Sequence, residues 1–368
     1  AGNSSESAEL SVTTNNLTAG SLTLKHTDAN GDAYTVNTWT KDSIYVALTK
    51  GSAGTTTYES ISGSAQTVAA GTTAATTVTT NGTTTLRVKT TDGTNTVYSQ
   101  EYIIKIDKEA PTNAAPTVNA TTNSLTVTNK QIDNLSGIAS VQYSIYKGNS
   151  WSAWQTSNQF TGLTHNTTYK VKTKTTDKVG NASESAENTT AKTSNLVAGT
   201  LTLTHNTASG SAYTSNTWTK DSVYVALVKA STGTTTYESI TGSAQSVGSG
   251  TTVDTTVTTN GTTTLRVKTT DGTNTVYSSN YVIKVDKVKP TAGTLTMKLG
   301  SSTGNAYTSN SWTNQSVWIH KNDGSDTLSG HKSTTYTVSG ANLTNQTADN
   351  TISTEGTYTV TVTTYDNV

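Results

Sequence analysis

The chain contains no cysteine, only three prolines, and a single phenylalanine and a single methionine among its 368 residues. Without cysteine it can form neither disulfide bonds nor thiolate metal sites. Twenty-four Lys and Arg residues are balanced by 24 Asp and Glu residues. No positive surplus exists to attract a phosphate backbone, so we expect no nucleic-acid partner. No stretch approaches the roughly 20 apolar residues that cross a bilayer, so we expect no membrane insertion in this segment.

What the chain has in quantity is threonine, at about a quarter of all residues. Thr and Val favour β-strands, whereas the helix formers Leu, Glu and Ala are sparse. Only 31% of the residues are hydrophobic, too few for one large core. The composition predicts several small β-sheet domains with a hydrated exterior of Thr, Ser and Lys.

An internal duplication organises the sequence. Residues 20–111 align with residues 199–290 without a gap and with about three quarters identity, and residues 81–99 recur unchanged at 260–278. Within this block Leu86 and Val88 alternate with Arg87 and Lys89, which is the period of a half-buried strand. The following TDGTN predicts a turn, so the block is a predicted β-hairpin.

Two further modules are divergent relatives of the duplicated one. Residues 294–318 follow the pattern of 200–224, and residues 109–193 contain another long strand that ends in Thr-Thr-Asp. The second and fourth modules also share the motif Asp-x-Leu-Ser-Gly, at 133–137 and 326–330. Short alternating strands with turn signals every 8 to 12 residues are typical of a β-sandwich. The predicted modules are 15–108 (module 1), 109–193 (module 2), 194–287 (module 3, the duplicate of module 1) and 288–368 (module 4).

The pattern Y-x-V-x-[VT]-x-x-x-D-x-x-G-N, followed by x-D-K-x-x-P, extends over these modules. It is carried by residues 169–181, 358–366, 106–112 and 285–291. The chain thereby resembles the bacterial Ig-like and fibronectin type III-like repeats of large surface proteins. The resemblance implies an all-β tandem array of four Ig-like or fibronectin III-like sandwiches in an elongated rod. It also implies an extracellular location, on a bacterial surface or a phage particle. It does not choose a function, because such modules form stalks, adhesins and fibres alike.

Motifs that carry chemistry are absent. The sequence contains no GxSxG, HExxH or phosphate-binding loop, and an enzyme has little use for a site copied 179 residues away. We predict no enzyme and no catalytic residue. Asp28, Asn30 and Asp32 alternate like the ligands of a calcium loop, but no bidentate carboxylate follows at the required spacing, which favours a polar turn. The linker residues Asp107 and Asp286 have two interpretations, a turn cap or a calcium ligand at a module junction; no other cofactor is predicted.

Six tryptophans provide the remaining candidates. Trp39, Trp218 and Trp312 share one repeated context, which predicts core positions. Trp151 and Trp154 occur once, in NSWSAWQ, and are the only candidate ligand-binding residues. They either stack on a sugar ring or pack against their own sheet.

The first residues of the chain resemble the end of a module. AGNSSESAE at 1–9 matches GNASESAE at 180–187, which follows the long strand of module 2, and module 4 reaches TTYDNV where module 2 continues TTDKVGNASESAE. Placed after Val368, residues 1–3 restore the Asp-to-Gly-Asn pattern. We therefore predict that residues 1–14 are the last strand of a preceding module. They would complete module 4 of the preceding copy, either covalently in a longer repeat or by strand donation between subunits.

Together these features predict a structural spacer or stalk segment of an extracellular bacterial fibre or surface protein, one period of a head-to-tail repeat. The alternative is an adhesin or carbohydrate-binding array of a bacterial surface or phage fibre, with a host glycan or surface protein as its partner.

Overall fold

The computed structural model describes residues 2–11, 16–71, 75–248 and 254–368, and every regular element in these ranges is a β-strand. The chain divides into two compact units, Ala1–Ser194 and Asn195–Val368. The first unit contains modules 1 and 2, and the second contains modules 3 and 4. The prediction of an all-β tandem array is confirmed. None of the described segments forms an apolar helix long enough to cross a membrane.

Module 1 is a sandwich of two sheets. Its strands are β1 (Ser21–His26), β2 (Trp39–Thr40), β3 (Ile44–Thr49), β4 (Thr55–Ser60), β5 (Thr76–Val78), β6 (Gly82–Thr91), β7 (Thr96–Tyr98) and β8 (Tyr102–Ile106). One sheet has the order β1-β3-β5 and the other β2-β8-β6-β4, with β7 paired to β6. The alternation predicted for β6 is observed: Leu86 and Val88 are fully buried, whereas Arg87 faces outward and pairs with Glu59. The hydrophobic residues of both sheets meet in one core.

Module 2 is also a sandwich, and its strands form sheets of five, three and two strands. Its strands are β9 (Thr112–Asn113), β10 (Thr117–Ala120), β11 (Leu125–Thr128), β12 (Gln131–Ile132), β13 (Ile138–Lys147), β14 (Ser150–Trp151), β15 (Gln159–Phe160), β16 (Thr168–Asp177), β17 (Ala182–Glu184) and β18 (Asn188–Lys192). The larger sheet has the order β14-β13-β16-β17, and β18 also pairs with β16. Leu163 and Tyr169 form a corner at the start of β16. Both are buried, and the Tyr169 hydroxyl accepts a hydrogen bond from the Thr164 amide at 2.9 Å.

Module 3 repeats module 1 strand for strand. Its strands are β19 (Thr200–His205), β20 (Trp218–Thr219), β21 (Val223–Val228), β22 (Thr234–Ser239), β23 (Thr255–Val257), β24 (Gly261–Thr270), β25 (Thr275–Tyr277) and β26 (Tyr281–Val285). Pairing orders and registers are the same, as expected from the high identity.

Module 4 has fewer strands and a smaller core. Its strands are β27 (Thr294–Leu299), β28 (Val317–Asn322), β29 (His331–Ser339), β30 (Leu343–Gln346), β31 (Asn350–Ile352) and β32 (Thr359–Asp366). They form the sheets β27-β28-β31 and β30-β29-β32, so that β32 is an edge strand. The core cluster contains only three buried hydrophobic residues, Ile319, Tyr336 and Val338.

The prediction that Trp39, Trp218 and Trp312 are core residues is wrong, because none of them belongs to the core cluster of its module. Trp39 and Trp218 are half-buried, and each begins a short strand that runs parallel to the last strand of its module. Trp312 is 85% exposed. The physical reason is that none of the described residues of module 4 forms a last strand beside it.

Candidate functional site

Asp107 lies at the junction of modules 1 and 2 and is bonded to both. Its amide donates to the Thr40 carbonyl of module 1 at 2.8 Å, and its carboxylate accepts from the Ser136 amide of module 2 at 3.0 Å. A third bond comes from the Glu109 amide at 3.1 Å. Asp107 has no exposed surface. It therefore caps the linker turn and also ties the linker to the next module.

Two further carboxylates from module 2 converge on Asp107. Asp133 begins the shared Asp-x-Leu-Ser-Gly motif and accepts the amides of Leu135 and Gly137 at 2.8 and 2.9 Å. Asp177 ends β16 and is 2% exposed. One oxygen from each of the three carboxylates lies within 4.8 Å of the other two. We call Asp107, Asp133 and Asp177 junction triad 1.

The second unit builds the same arrangement from equivalent residues. Asp286, Asp326 and Asp366 also approach within 4.8 Å, and we call them junction triad 2. The Asp286 amide donates to Thr219, and its carboxylate accepts from the Ser329 amide at 3.0 Å. The shared motif thus has a structural role in both modules, because its Asp joins the triad and its Ser amide holds the linker Asp.

The glycine that closes the shared motif is required by its backbone conformation. Gly137 and Gly330 have φ of 83° and 87°, in the region that L residues rarely adopt. This conformation lets the Gly137 amide donate to Asp133 and the Gly330 amide donate to Asp326. The motif therefore folds as a tight loop around its own carboxylate.

No basic nitrogen balances the charge of the triads within ion-pair distance. Among the described residues, no Lys, Arg or His nitrogen lies within 4.0 Å of a triad carboxylate. Lys178, the residue after Asp177, lies beside Gly137. The equivalent residue of the second unit, after Asp366, is Asn367, and its side chain donates to the carbonyls of Ser329 and Gly330. A lysine is therefore not a shared part of the arrangement.

Asp28, Asn30 and Asp32 form a surface turn, in agreement with the polar-turn interpretation. All three side chains are exposed, and the Asp28 carboxylate accepts the Asn30 amide at 2.7 Å. The Asp32 carbonyl accepts the His26 amide. The Asp28 carboxylate is therefore engaged in closing the turn.

Trp151 and Trp154 lie together on one face of the larger sheet of module 2. Both rings are half-buried. The Lys172 ammonium lies 4.8 Å from the ring centroid of Trp151 and 5.2 Å from that of Trp154, and it also pairs with Glu184 at 2.8 Å. Cations are attracted to the face of a tryptophan ring. A sugar that stacked on these faces would have to displace Lys172.

The edge strand β32 differs from its counterpart β16 in what covers it. In module 2, β16 pairs with β13 on one side and with β17 and β18 on the other. Its alternate side chains Tyr169, Val171, Thr173, Thr175 and Asp177 are all buried. In module 4, β32 pairs only with β29 within the described chain, and the equivalent Tyr358, Val360, Val362, Thr364 and Asp366 are half-buried. A cavity of about 340 Å³ lies at the turn between β29 and β30, lined in part by Leu343, Ile352 and Tyr358, and none of its lining residues belongs to β32.

The segment predicted to cover such an edge, residues 1–14, lies on the surface where the structure describes it. Residues 2–11 are exposed and contain no strand, and Leu10 is 92% exposed. Residue 1 and residues 12–14 lie outside the described ranges. The described part of the predicted last strand therefore leaves an apolar side chain in solvent.

No protein-family model and no curated protein matches the chain. It is similar to solved structures of tandem domains. The chicken CNTN1 FN1–FN3 fragment is 14% identical, covering 68% of this chain and 97% of its own length, with a TM-score of 0.26. The ICAM-5 D1–D4 ectodomain fragment is 12% identical over 88% and 94%, with a TM-score of 0.27. Three N-terminal domains of the bacteriophage RB49 outer capsid protein Hoc are 13% identical over 74% and 100%, with a TM-score of 0.28. These neighbours consist of tandem Ig-like or fibronectin III-like domains, and a likeness this low supports no inference about ligand or activity.

Proposed function

We propose that this chain is a structural spacer of an extracellular fibre or surface stalk, on a bacterium or a phage particle, in which copies follow one another head to tail. Each module has its own hydrophobic core. Within each unit one residue, Asp107 or Asp286, is bonded to both modules, so no flexible linker separates them. Repetition of such units extends reach without a new fold.

The observation that carries the head-to-tail arrangement is the open edge of β32 together with the sequence of residues 2–11. Two complete modules show what belongs at that edge. In module 1, Tyr102 of the last strand pairs with Leu86 of the long strand. In module 2, Asn188 pairs with Val171. Aligning SAEL at 7–10 with SQEY at 99–102 and with SAEN at 185–188 places Leu10 opposite Val360 in both cases.

The side-chain pattern of the segment supports the same register. Leu10 and Val12 alternate with Ser11 and Thr13, as the buried Tyr102 and Ile104 alternate with Ile103 and Lys105 in β8. Leu10 would then lie opposite the half-buried Val360. The burial of an exposed leucine supplies the driving force, about 1.5–3 kcal/mol.

Residues 1–14 also contain a counterpart of the Asn181 side chain, which makes polar contacts in module 2. The Asn181 side chain donates to the Asp107 carbonyl at 3.0 Å and to the Asp177 carboxylate at 2.7 Å. In the joined sequence Asn3 follows Asp366 at a spacing one residue longer, with Ala1 as the extra residue, and it would make the corresponding bonds to Asp286 and Asp366 of another copy. Residues 1–14 would pair with the edge of β32 whether copies are joined covalently or are separate subunits. The mass of the denatured natural material distinguishes the two arrangements.

A labelled peptide of residues 1–14 tests the proposal. We expect it to bind the full chain saturably, as measured by fluorescence anisotropy, because an open edge of β32 accepts it. A peptide with Leu10→Asp should bind at least about tenfold more weakly, since the lost burial is worth about 1.5–3 kcal/mol. Equal binding of both peptides would contradict the assigned register.

The adhesin or carbohydrate-binding alternative depends on Trp151 and Trp154. The spacer function predicts no specific signal on a glycan array, because Lys172 already occupies the faces of both rings. The alternative predicts specific binding that Trp154→Ala abolishes. Trp39→Ala, in module 1, is the control that leaves this face intact.

A further inference from the structure

We propose that junction triads 1 and 2 each bind one divalent cation of the size of calcium. The three carboxylates of each triad come from three separate segments: the linker, the Asp-x-Leu-Ser-Gly loop and the end of the long strand. The proposal is independent of the head-to-tail arrangement, because both triads are complete within one chain.

Electrostatics is the first argument. In junction triad 1, Asp107 and Asp177 are 0% and 2% exposed, and their oxygens lie within 4.8 Å of one another and of Asp133. Like charges at this separation repel strongly where water is excluded, and no basic nitrogen within 4.0 Å relieves them in the described chain. The amides that bond to the carboxylates carry only partial charges. A bound divalent cation would offset this repulsion.

The hydroxyl groups of Ser136 and Ser329 are the second and independent argument. Ser136 is 4% exposed, yet its Oγ has no hydrogen-bond partner, and the Oγ of Ser329 is unpaired in the same way. The amide of each serine donates to the linker Asp at 3.0 Å, so the backbone of each serine is in direct contact with its triad. Leaving a buried hydroxyl without a partner is unfavourable. The oxygen of each hydroxyl can serve as a further neutral ligand, and the same unpaired serine recurs in both units.

The spacing and chemistry of the oxygens select the cation. Calcium binds oxygen ligands at about 2.3–2.6 Å, so two ligands on opposite sides of one ion are up to about 5 Å apart. Oxygens within 4.8 Å of one another can therefore share one calcium ion. Magnesium needs about 2.0–2.1 Å and retains its waters, which suits this set less well. Neither triad contains histidine, the commonest ligand of zinc and copper sites, among its donors.

A bound cation would clamp the junction within each unit. Held by Asp107, Asp133 and Asp177, it would fix the linker both to the Asp-x-Leu-Ser-Gly loop and to the end of β16. Junction triad 2 would fix modules 3 and 4 to each other in the same way.

Calorimetric titration of calcium chloride into the chelator-treated full chain tests the proposal. We expect two ions per chain, one ion for Asp133→Asn, and none for Asp133→Asn combined with Asp326→Asn. Asparagine keeps the shape and the acceptor oxygen that Leu135 and Gly137 require, and circular dichroism checks the fold of each variant. Asp28→Asn, in the exposed turn, is the matched control and should still bind two ions.

Cleavage by trypsin after Lys108 gives a second measurement, because this exposed residue follows the linker Asp directly. Calcium should slow the cleavage at least tenfold in the unmodified chain and leave its rate unchanged in Asp133→Asn. Fewer than two calcium ions bound at about 10 mM, a concentration above the weak range of extracellular modules, overturns the proposal. Two ions bound to the double variant overturn it equally.

Discussion

Transfer of residues 1–14 from the N-terminus to a position behind Val368 should raise the free energy of unfolding of module 4 by about 3 kcal/mol or more. In this permuted chain the segment follows Asp366-Asn367-Val368 directly, as residues 178–192 follow Asp177 in module 2. It can then pair with β32 within one chain. The gain arises because the exposed Leu10 leaves solvent, and Leu10 and Val12 of the permuted chain would cover a strand whose inward side chains are now half-buried.

Urea denaturation followed by hydrogen-exchange mass spectrometry measures this gain separately for each module. The matched control is the same permuted chain with Leu10→Asp and Val12→Asp. It has the same length, but its charged side chains cannot cover the inward face of β32. Modules 1 and 3 serve as internal references and should be unchanged. If the permuted chain and its control unfold module 4 at the same urea concentration, the segment does not complete that module.

The second large effect is confined to module 1. Leu86→Ala should lower the free energy of unfolding of module 1 by about 3 kcal/mol, because Leu86 is fully buried between the two sheets and its removal leaves a cavity. Leu265→Ala is the equivalent change in module 3 and should affect that module alone, since each module has its own core. A fused core across modules would instead spread the loss over both, which the same exchange measurement would detect.

Local patterns predicted the fold well. The alternation of Leu86 and Val88 with Arg87 identified the inward face of β6, and the duplication at 199–290 transferred that result to module 3. These features depend on residues close in sequence, where the period of a strand or a turn is sufficient evidence.

Features that depend on distant segments were recognised only in part. The linker Asp107 and the shared motif at 133–137 were each noticed in the sequence, but nothing local shows that they meet Asp177 in space. A comparison of the two halves of the chain could have indicated the triads, because modules 2 and 4 share two of the acidic positions and the linkers before them share the third. Trp312 was misplaced for a related reason, because its burial depends on a strand that the described part of module 4 does not supply.

The most direct measurement of the head-to-tail arrangement uses the absence of native cysteine. Leu10→Cys and Val360→Cys in one chain place two thiols directly opposite each other in the proposed strand pair, at a distance that suits a disulfide. On mild oxidation the account predicts a ladder of head-to-tail oligomers that reducing agent dissolves. The control with Leu10→Cys and Thr361→Cys, where the second thiol faces the other side of the sheet, should yield far fewer. Equal ladders from both variants, or no link between positions 10 and 360, would contradict the account.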